Sequence, residues 1–168
     1  LKKVCPETTI LIGGAHVSAT SMTVLEEIEE ADYGFAGEGE IGLPMLAKHI
    51  LRDEIIPLES IPGLIWRNGS SICNNERAGT EDLDSLGFQA WDLMEPVSYN
   101  GSPQGGFYKR FPIAPISTTR GCPYLCTFCG SGVNMGHKLR FRSMDHVLDE
   151  MVMLYDDYGV REYHIIDD

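Results

Sequence analysis

The stretch Ser117-Thr118-Thr119-Arg120-Gly121-Cys122-Pro123-Tyr124-Leu125-Cys126-Thr127-Phe128-Cys129-Gly130 places three of the chain's five cysteines within eight residues. Their spacing, Cys-x3-Cys-x2-Cys, is tight enough for three thiolates to share one metal centre. Thiolates are soft ligands, suited to iron–sulfur clusters or to zinc. An ordinary 4Fe–4S centre takes four cysteines, and Cys5 and Cys73 stand far off in the sequence. Three ligands on four irons leave one iron open, which is an arrangement for chemistry. The bland alternative is a structural zinc held by Cys122, Cys126, Cys129 and His137, for which the first gap has a usual length. Gly121 and Gly130 let the backbone bend closely round a bulky group.

Outward from this loop the pattern is α/β. Residues 113–119 read as a strand, and the loop leaves its carboxyl end, where α/β barrels place their chemistry. Ser143 is the expected N-cap of a helix running to about Tyr158, with Gly159 as its C-cap. Its apolar stripe is Met144, Val147, Leu148, Met151, Leu154, Tyr155 and Tyr158. Tyr163-His164-Ile165-Ile166 then forms a second strand, and strand, loop, helix, strand is one βαβ unit. Zinc explains neither this setting nor the aromatic Phe128 beside the last cysteine.

The first fifty residues also alternate strand and helix. Thr9-Ile10-Leu11-Ile12 reads as a buried strand closed by Gly13-Gly14. Thr23 and Glu26 predict a capping box on a short helix with Leu25 and Ile28 facing inward. Tyr33-Gly34-Phe35-Ala36 is a second strand, closed by Gly37-Glu38-Gly39-Glu40. A helix with Leu43, Leu46, Ala47 and Ile50 on one face follows, and His49 is expected at its surface. This is a doubly wound pattern, with both glycine clusters at strand ends, where such sheets bind ligands. Between the two regions, 57–112 reads as a connector with one hairpin, in which Leu64-Ile65-Trp66-Arg67 and Ser71-Ile72-Cys73 flank Asn68-Gly69.

Composition limits the partners. The 168 residues carry 13 basic and 25 acidic side chains, a net charge of −12 that disfavours a nucleic-acid partner. The acidic run Glu26-Glu27-Ile28-Glu29-Glu30 is expected to be a solvated helix face. Hydrophobic content is 43% and charged content 23%, as in a globular domain. No apolar run is long enough to span a bilayer. Clustered thiols without a disulfide framework fit a reducing cytoplasm. The opening at Leu1 and the close on Ile165-Ile166-Asp167-Asp168 read as cuts in a longer chain.

The cysteine loop, with an aromatic directly before its last cysteine, resembles the signature of the radical S-adenosylmethionine superfamily. The glycine loops Gly13-Gly14-Ala15-His16 and Gly37-Glu38-Gly39-Glu40 look like strand-end loops of the cobalamin-binding domain that precedes the barrel in one large branch. Ile61-Pro62-Gly63-Leu64 and Ala90-Trp91-Asp92 are similar to that branch's connector. The resemblance implies three segments: 1–56 as the end of a Rossmann-like cobalamin-binding domain, 57–112 as connector, and 113–168 as the first βαβ of a (β/α) barrel. It implies that Cys122, Cys126 and Cys129 bind three irons of a 4Fe–4S cluster and that S-adenosylmethionine chelates the fourth. Phe128 would lie against the adenine, and Gly13, Gly14, Gly37, Glu38 and Gly39 against cobalamin. An electron from an external donor would cleave the sulfonium, giving a 5′-deoxyadenosyl radical that abstracts hydrogen from a small-molecule substrate. Methyl transfer and oxidative cyclisation both occur in the branch. A radical enzyme whose N-terminal domain binds no cobalamin, and a non-catalytic zinc module, remain the alternatives. Most of the barrel would lie beyond Asp168, so the chain alone is expected not to turn over.

Overall fold

The computed structural model describes residues 1–51, 54–99 and 106–167. Asp168, expected at the end of the last strand, and Gly101, at the start of the glycine-rich part of the connector, lie outside the described residues. The chain forms two compact units, Leu1–Thr80 with Cys122–His137, and Glu81–Gly121 with Lys138–Asp168. The fold is mixed α/β, as the alternating pattern requires.

In the first unit, β1 (Leu11–Gly13) runs parallel to β2 (Tyr33–Phe35), with Leu11 opposite Tyr33 and Gly13 opposite Phe35. Two short helices, α1 (Ala15–Thr20) and α2 (Thr23–Glu27), connect them. The hairpin β3 (Leu64–Asn68) and β4 (Ser71–Asn74) turns at Gly69, whose φ of 61° suits the tight turn read from Asn68-Gly69. It pairs antiparallel with β2, so the sheet order is β1-β2-β3-β4 and the hairpin extends the N-terminal sheet.

Strand alternation sorts the apolar side chains to two faces. Ile65 packs with Val17, Val24, Leu25, Ala31 and Ala36 under α1 and α2. Leu64 and Phe35 pack with Leu46 of α3 (Gly42–Leu51) and with Ile61. Leu25, Leu46, Ile61, Leu64 and Ile65 are wholly buried, each worth about 1.5–3 kcal/mol. Gly42 is required where α3 meets the sheet, because a Cβ there would stand 2.3 Å from both the Phe35 ring and the Pro62 carbonyl.

Five local expectations change. The strand expected to be buried over 9–12 is an edge strand, with Leu11 exposed and Ile10 and Ile12 half-buried. The capping box does not form: Met22 is the N-cap of α2 and no side chain caps the helix. The helix ends at Glu27, so Ile28 falls outside it and is exposed, and the acidic run is only partly helical. On α3 only Leu46 of the expected stripe is buried, while Leu43, Ala47 and Ile50 are exposed. His49 is half-buried with Nδ1 2.7 Å from the Ile56 carbonyl, because the chain turns back over the helix end.

In the second unit, β5 (Ile113–Ile116) pairs in parallel with β8 (Glu162–Ile165). α5 (Met144–Asp157) lies between them in sequence, completing the expected βαβ. The Ser143 hydroxyl accepts the His146 N–H at 3.1 Å, and Gly159 takes a φ of 68° after the helix. The strand expected over 113–119 is broken at Ser117-Thr118: β6 (Thr119–Arg120) pairs antiparallel with β7 (Arg140–Phe141). The buried stripe of α5 is turned from the expected one. Val147, Glu150 and Leu154 face the core with Trp91, Ala114, Ile116 and Val160, while Met144, Leu148 and Tyr155 are exposed.

Glu150 is wholly buried; one of its oxygens is hydrogen-bonded and the other is met by an ion pair alone. Its Oε2 stands 2.7 Å from Arg142 Nη1, and its Oε1 accepts from Trp91 Nε1 at 2.8 Å. Removing one partner of such a pair strands the other charge in low dielectric. Glu150→Ala should therefore lower stability by about 3 kcal/mol or more, read from chemical denaturation midpoints, whereas Glu29→Ala on the exposed acidic run should leave the midpoint within error.

Candidate metal centre

The cysteine loop follows β5 and β6 and closes on the short helix α4 (Ser131–Met135). Gly121 enters it with a φ of 90°. The Cys122 N–H donates to the Gly136 carbonyl at 3.1 Å, tying the loop's start to its end. A turn from Cys126 to Cys129 is fixed by the Cys129 N–H donating to the Cys126 carbonyl at 3.2 Å. Cys122 is half-buried, whereas Cys126 and Cys129 are exposed.

All three cysteines line one cavity of about 270 Å³, together with Tyr124, Leu125 and His137. Among the described residues no three His, Cys, Asp or Glu side chains stand close enough to share a single metal ion. Three thiols on the wall of one cavity, with no fourth cysteine among its lining, are a donor set that fits a cluster with one iron left open. His137 is engaged locally: its Nδ1 lies 3.1 Å from the Cys122 carbonyl, and its ring lies so close over Gly132 that a Cβ there would come 2.2 Å from Cε1. Phe128 is 92% exposed and does not line the cavity.

The glycine loops share one edge of the first sheet. Gly13 and Gly14 follow β1, and Gly37, Glu38 and Gly39 follow β2, its parallel neighbour. Gly14 and Gly37 take φ of 92° and 82°, a region that disfavours any side chain. A Cβ on Gly14 would meet nothing within 4 Å, so the backbone there is open to a ligand's approach. Sequence reasoning did not see α1, which begins directly after Gly14; its six residues are too few for a periodic signal.

Two contacts that sequence reasoning missed anchor the approach to the loop. Asp167, just past β8, accepts the Thr118 N–H at 2.6 Å, the Thr119 N–H at 2.9 Å and the Thr118 hydroxyl at 2.5 Å. Arg142 donates to the Ser117 carbonyl at 2.9 Å. Burial pushes the Asp167 carboxyl up, but the Thr118 hydroxyl and the two amides outweigh it and hold the pKa below the ordinary aspartate value. The only hint in sequence was the position of Asp167 at a strand end.

No protein-family model matches the chain. It is 30% identical over 189 residues to cytidylyl-2-hydroxyethylphosphonate methyltransferase of Streptomyces wedmorensis, covering 98% of this chain and 35% of that protein. It is 29% identical over 168 residues to the anaerobic magnesium-protoporphyrin IX monomethyl ester cyclase of Cereibacter sphaeroides, covering 99% of this chain and 26% of that protein. The radical S-adenosylmethionine methyltransferase TsrM of Kitasatospora setae, solved with cobalamin and a 4Fe–4S cluster bound, superposes with a TM-score of 0.65 at 23% identity. That match covers 96% of this chain and 31% of the other. Relatives that carry out methyl transfer or cyclisation thus match nearly the whole chain in sequence, and its fold is that of radical S-adenosylmethionine enzymes solved with cobalamin. The chain spans about a third of the length of the first curated relatives it matches.

The Asp167 anchor has a pH signature. A carboxyl whose folded pKa is depressed stabilises fully above its unfolded value, near 3.9, and loses that stabilisation as pH falls through the folded one. Amide exchange at Thr118 and Thr119 should stay protected at neutral pH and lose protection below about pH 4. Asp167→Ala should remove about tenfold or more of that protection at pH 7, the size of one charge-assisted hydrogen bond.

Proposed function

We propose that the chain carries the cluster-binding loop and the corrin-facing loops of a cobalamin-dependent radical S-adenosylmethionine enzyme. The observation that carries this reading is that Cys122, Cys126 and Cys129, from one loop beyond the end of β5, line a single cavity without a fourth cysteine. Their thiolates would hold three irons of a 4Fe–4S cluster. When bound, such a cluster supplies one electron for reductive cleavage of S-adenosylmethionine. The chain's own residues bind and orient. The Cys122-to-Gly136 bond and the Cys126–Cys129 turn fix the spacing of the thiols. Tyr124 and Leu125, on the cavity wall, keep part of it apolar and limit water. Phe128 stands free at the loop's outer side, available to a nucleoside that enters from solvent.

Gly13, Gly14, Gly37, Glu38 and Gly39 form the second half of the reading. Glycines at the carboxyl ends of neighbouring parallel strands let the backbone approach a nucleotide tail closely, which is the demand cobalamin makes. We assign 1–56 to the cobalamin-binding domain, 57–112 to a connector carrying the hairpin and 113–168 to the start of the barrel. The whole enzyme would act on a small molecule in the cytoplasm, with an external electron donor, by methyl transfer or oxidative cyclisation. A nucleic-acid partner is disfavoured by the net charge of −12. No described helix is long and apolar enough to cross a membrane.

Iron and sulfide analysis with electron paramagnetic resonance tests the metal assignment. After anaerobic reconstitution and reduction, the chain should bind about four irons through its three thiolates and show a spectrum that changes on adding S-adenosylmethionine. Cys126→Ala should abolish that iron content. Zinc bound in place of iron, or iron retained in the Cys126 variant, would sink the reading.

A further inference from the structure

Three polar residues that the reading above does not use meet in one place. Ser18, on α1, is 1% exposed. Its hydroxyl accepts the Gly37 N–H at 2.9 Å and stands 2.9 Å from the Gly14 carbonyl and 3.0 Å from Asn134 Oδ1. With one proton to give, it donates to either oxygen while keeping Gly37 as its own donor. Arg77 closes the ring, with Nη2 donating to the Ser18 carbonyl at 2.6 Å and Nη1 to the Val133 carbonyl at 2.5 Å. Its alkyl chain lies along Gly37, where a Cβ would stand 3.3 Å from Arg77 Cδ. Residues 18, 77 and 134 come from α1, from the segment after β4 and from α4. Both glycine loops are thereby joined to the helix that closes the cysteine loop.

We propose that Ser18, Arg77 and Asn134 form a latch that couples the glycine-loop site to the cysteine-loop site, so that a corrinoid at the first and a cluster at the second alter each other's binding. This inference rests on the assignment of cobalamin to the glycine loops. The physical basis is that Gly37 and Gly14 share one buried hydroxyl with Asn134. Any shift of either strand-end loop to receive a ligand moves the hydroxyl that donates to Asn134 and so helps to hold α4. The converse holds for a shift of α4 when the neighbouring cysteines take up metal. Coupling of this kind is reciprocal: the factor by which a cluster changes corrinoid affinity equals the factor by which corrinoid changes cluster affinity. The three are positioning residues, since none of them lines the cysteine cavity.

The test is a titration with hydroxocobalamin, followed by corrin absorption, on the apo chain and on the chain with reconstituted cluster. The wild type should show dissociation constants that differ at least about fivefold between the two states. In Asn134→Ala and Arg77→Met the ratio should fall to within about twofold of one, with corrinoid and cluster each still bound. A merely structural role would weaken corrinoid binding in both states and leave the ratio where it was. A wild-type ratio of one, or a ratio kept in both variants, overturns the latch and leaves the cofactor assignment standing. Absence of any corrin shift in either state overturns the assignment and the latch with it. Should Arg77→Met fail to fold, Asn134→Ala, at a half-buried position on α4, decides the question alone.

Discussion

The cysteine loop has almost no hydrophobic core of its own, and the arrangement around it answers that deficit. Tyr124, Leu125 and Phe128 are 73%, 78% and 92% exposed, so burial cannot be what holds the loop in place. Polar ties hold it within its own unit, and polar ties within the second unit fix the residues that precede it in sequence. Asp167 grips the two residues Thr118 and Thr119, and Arg142 grips Ser117, before the chain reaches Gly121. At the far end the Cys122 amide, His137 and Asn134 tie the loop to Gly136, to Cys122 and to Ser18. A carboxylate that accepts three hydrogen bonds is worth more than the neutral ties, because its acceptors are charged.

That pattern explains the placement of the buried charges. Arg142 serves the loop through Ser117, yet a guanidinium so little exposed needs a counter-charge. Glu150 supplies it from α5, and Trp91 Nε1 satisfies the carboxylate's other oxygen. A lone buried ion would cost several kcal/mol, so the three side chains stand or fall together. The result is that the packing of α5 against β5 and the backbone course just before the cysteines are one problem with one solution. Replacing the pair by apolar groups would serve stability as well. It would leave the Ser117 carbonyl without its donor.

The sequence was legible where periodicity or chemistry is local. The Asn68-Gly69 turn, the Ser143 cap and the βαβ order all rest on residues close in sequence or on element order, and each corresponds to an element of the fold. What could not be read depends on distant partners. Glu150 sits on a helix face whose neighbours are Val147, Met151 and Leu154, so a pattern that treats charge as exposed turned the stripe toward Met144, Leu148 and Tyr155. On α3 the sequence offered more apolar positions than the sheet covers, leaving Leu43 and Ile50 in contact with solvent. Ser18, Arg77 and Asn134 are 59 and 57 residues apart along the chain, and no local rule links a serine, an arginine and an asparagine at such distances.

The same accounting shows why the cysteine loop should be the least stable part of its unit without metal. A neutral hydrogen bond contributes about 0.5–1.5 kcal/mol net. Each large apolar side chain left in water forgoes about 1.5–3 kcal/mol of burial. Three such side chains on the loop therefore add nothing to offset the cost of fixing each residue's backbone, about 1–2 kcal/mol. Metal coordination, where a folded site supplies it, is worth about 10–16 kcal/mol at a structural zinc. Thiolate coordination is of that size, and in sites without a preformed core the free energy of metal binding becomes free energy of folding. A poorly buried loop with three thiols on one cavity is the kind of segment for which a bound metal would supply the missing stabilisation.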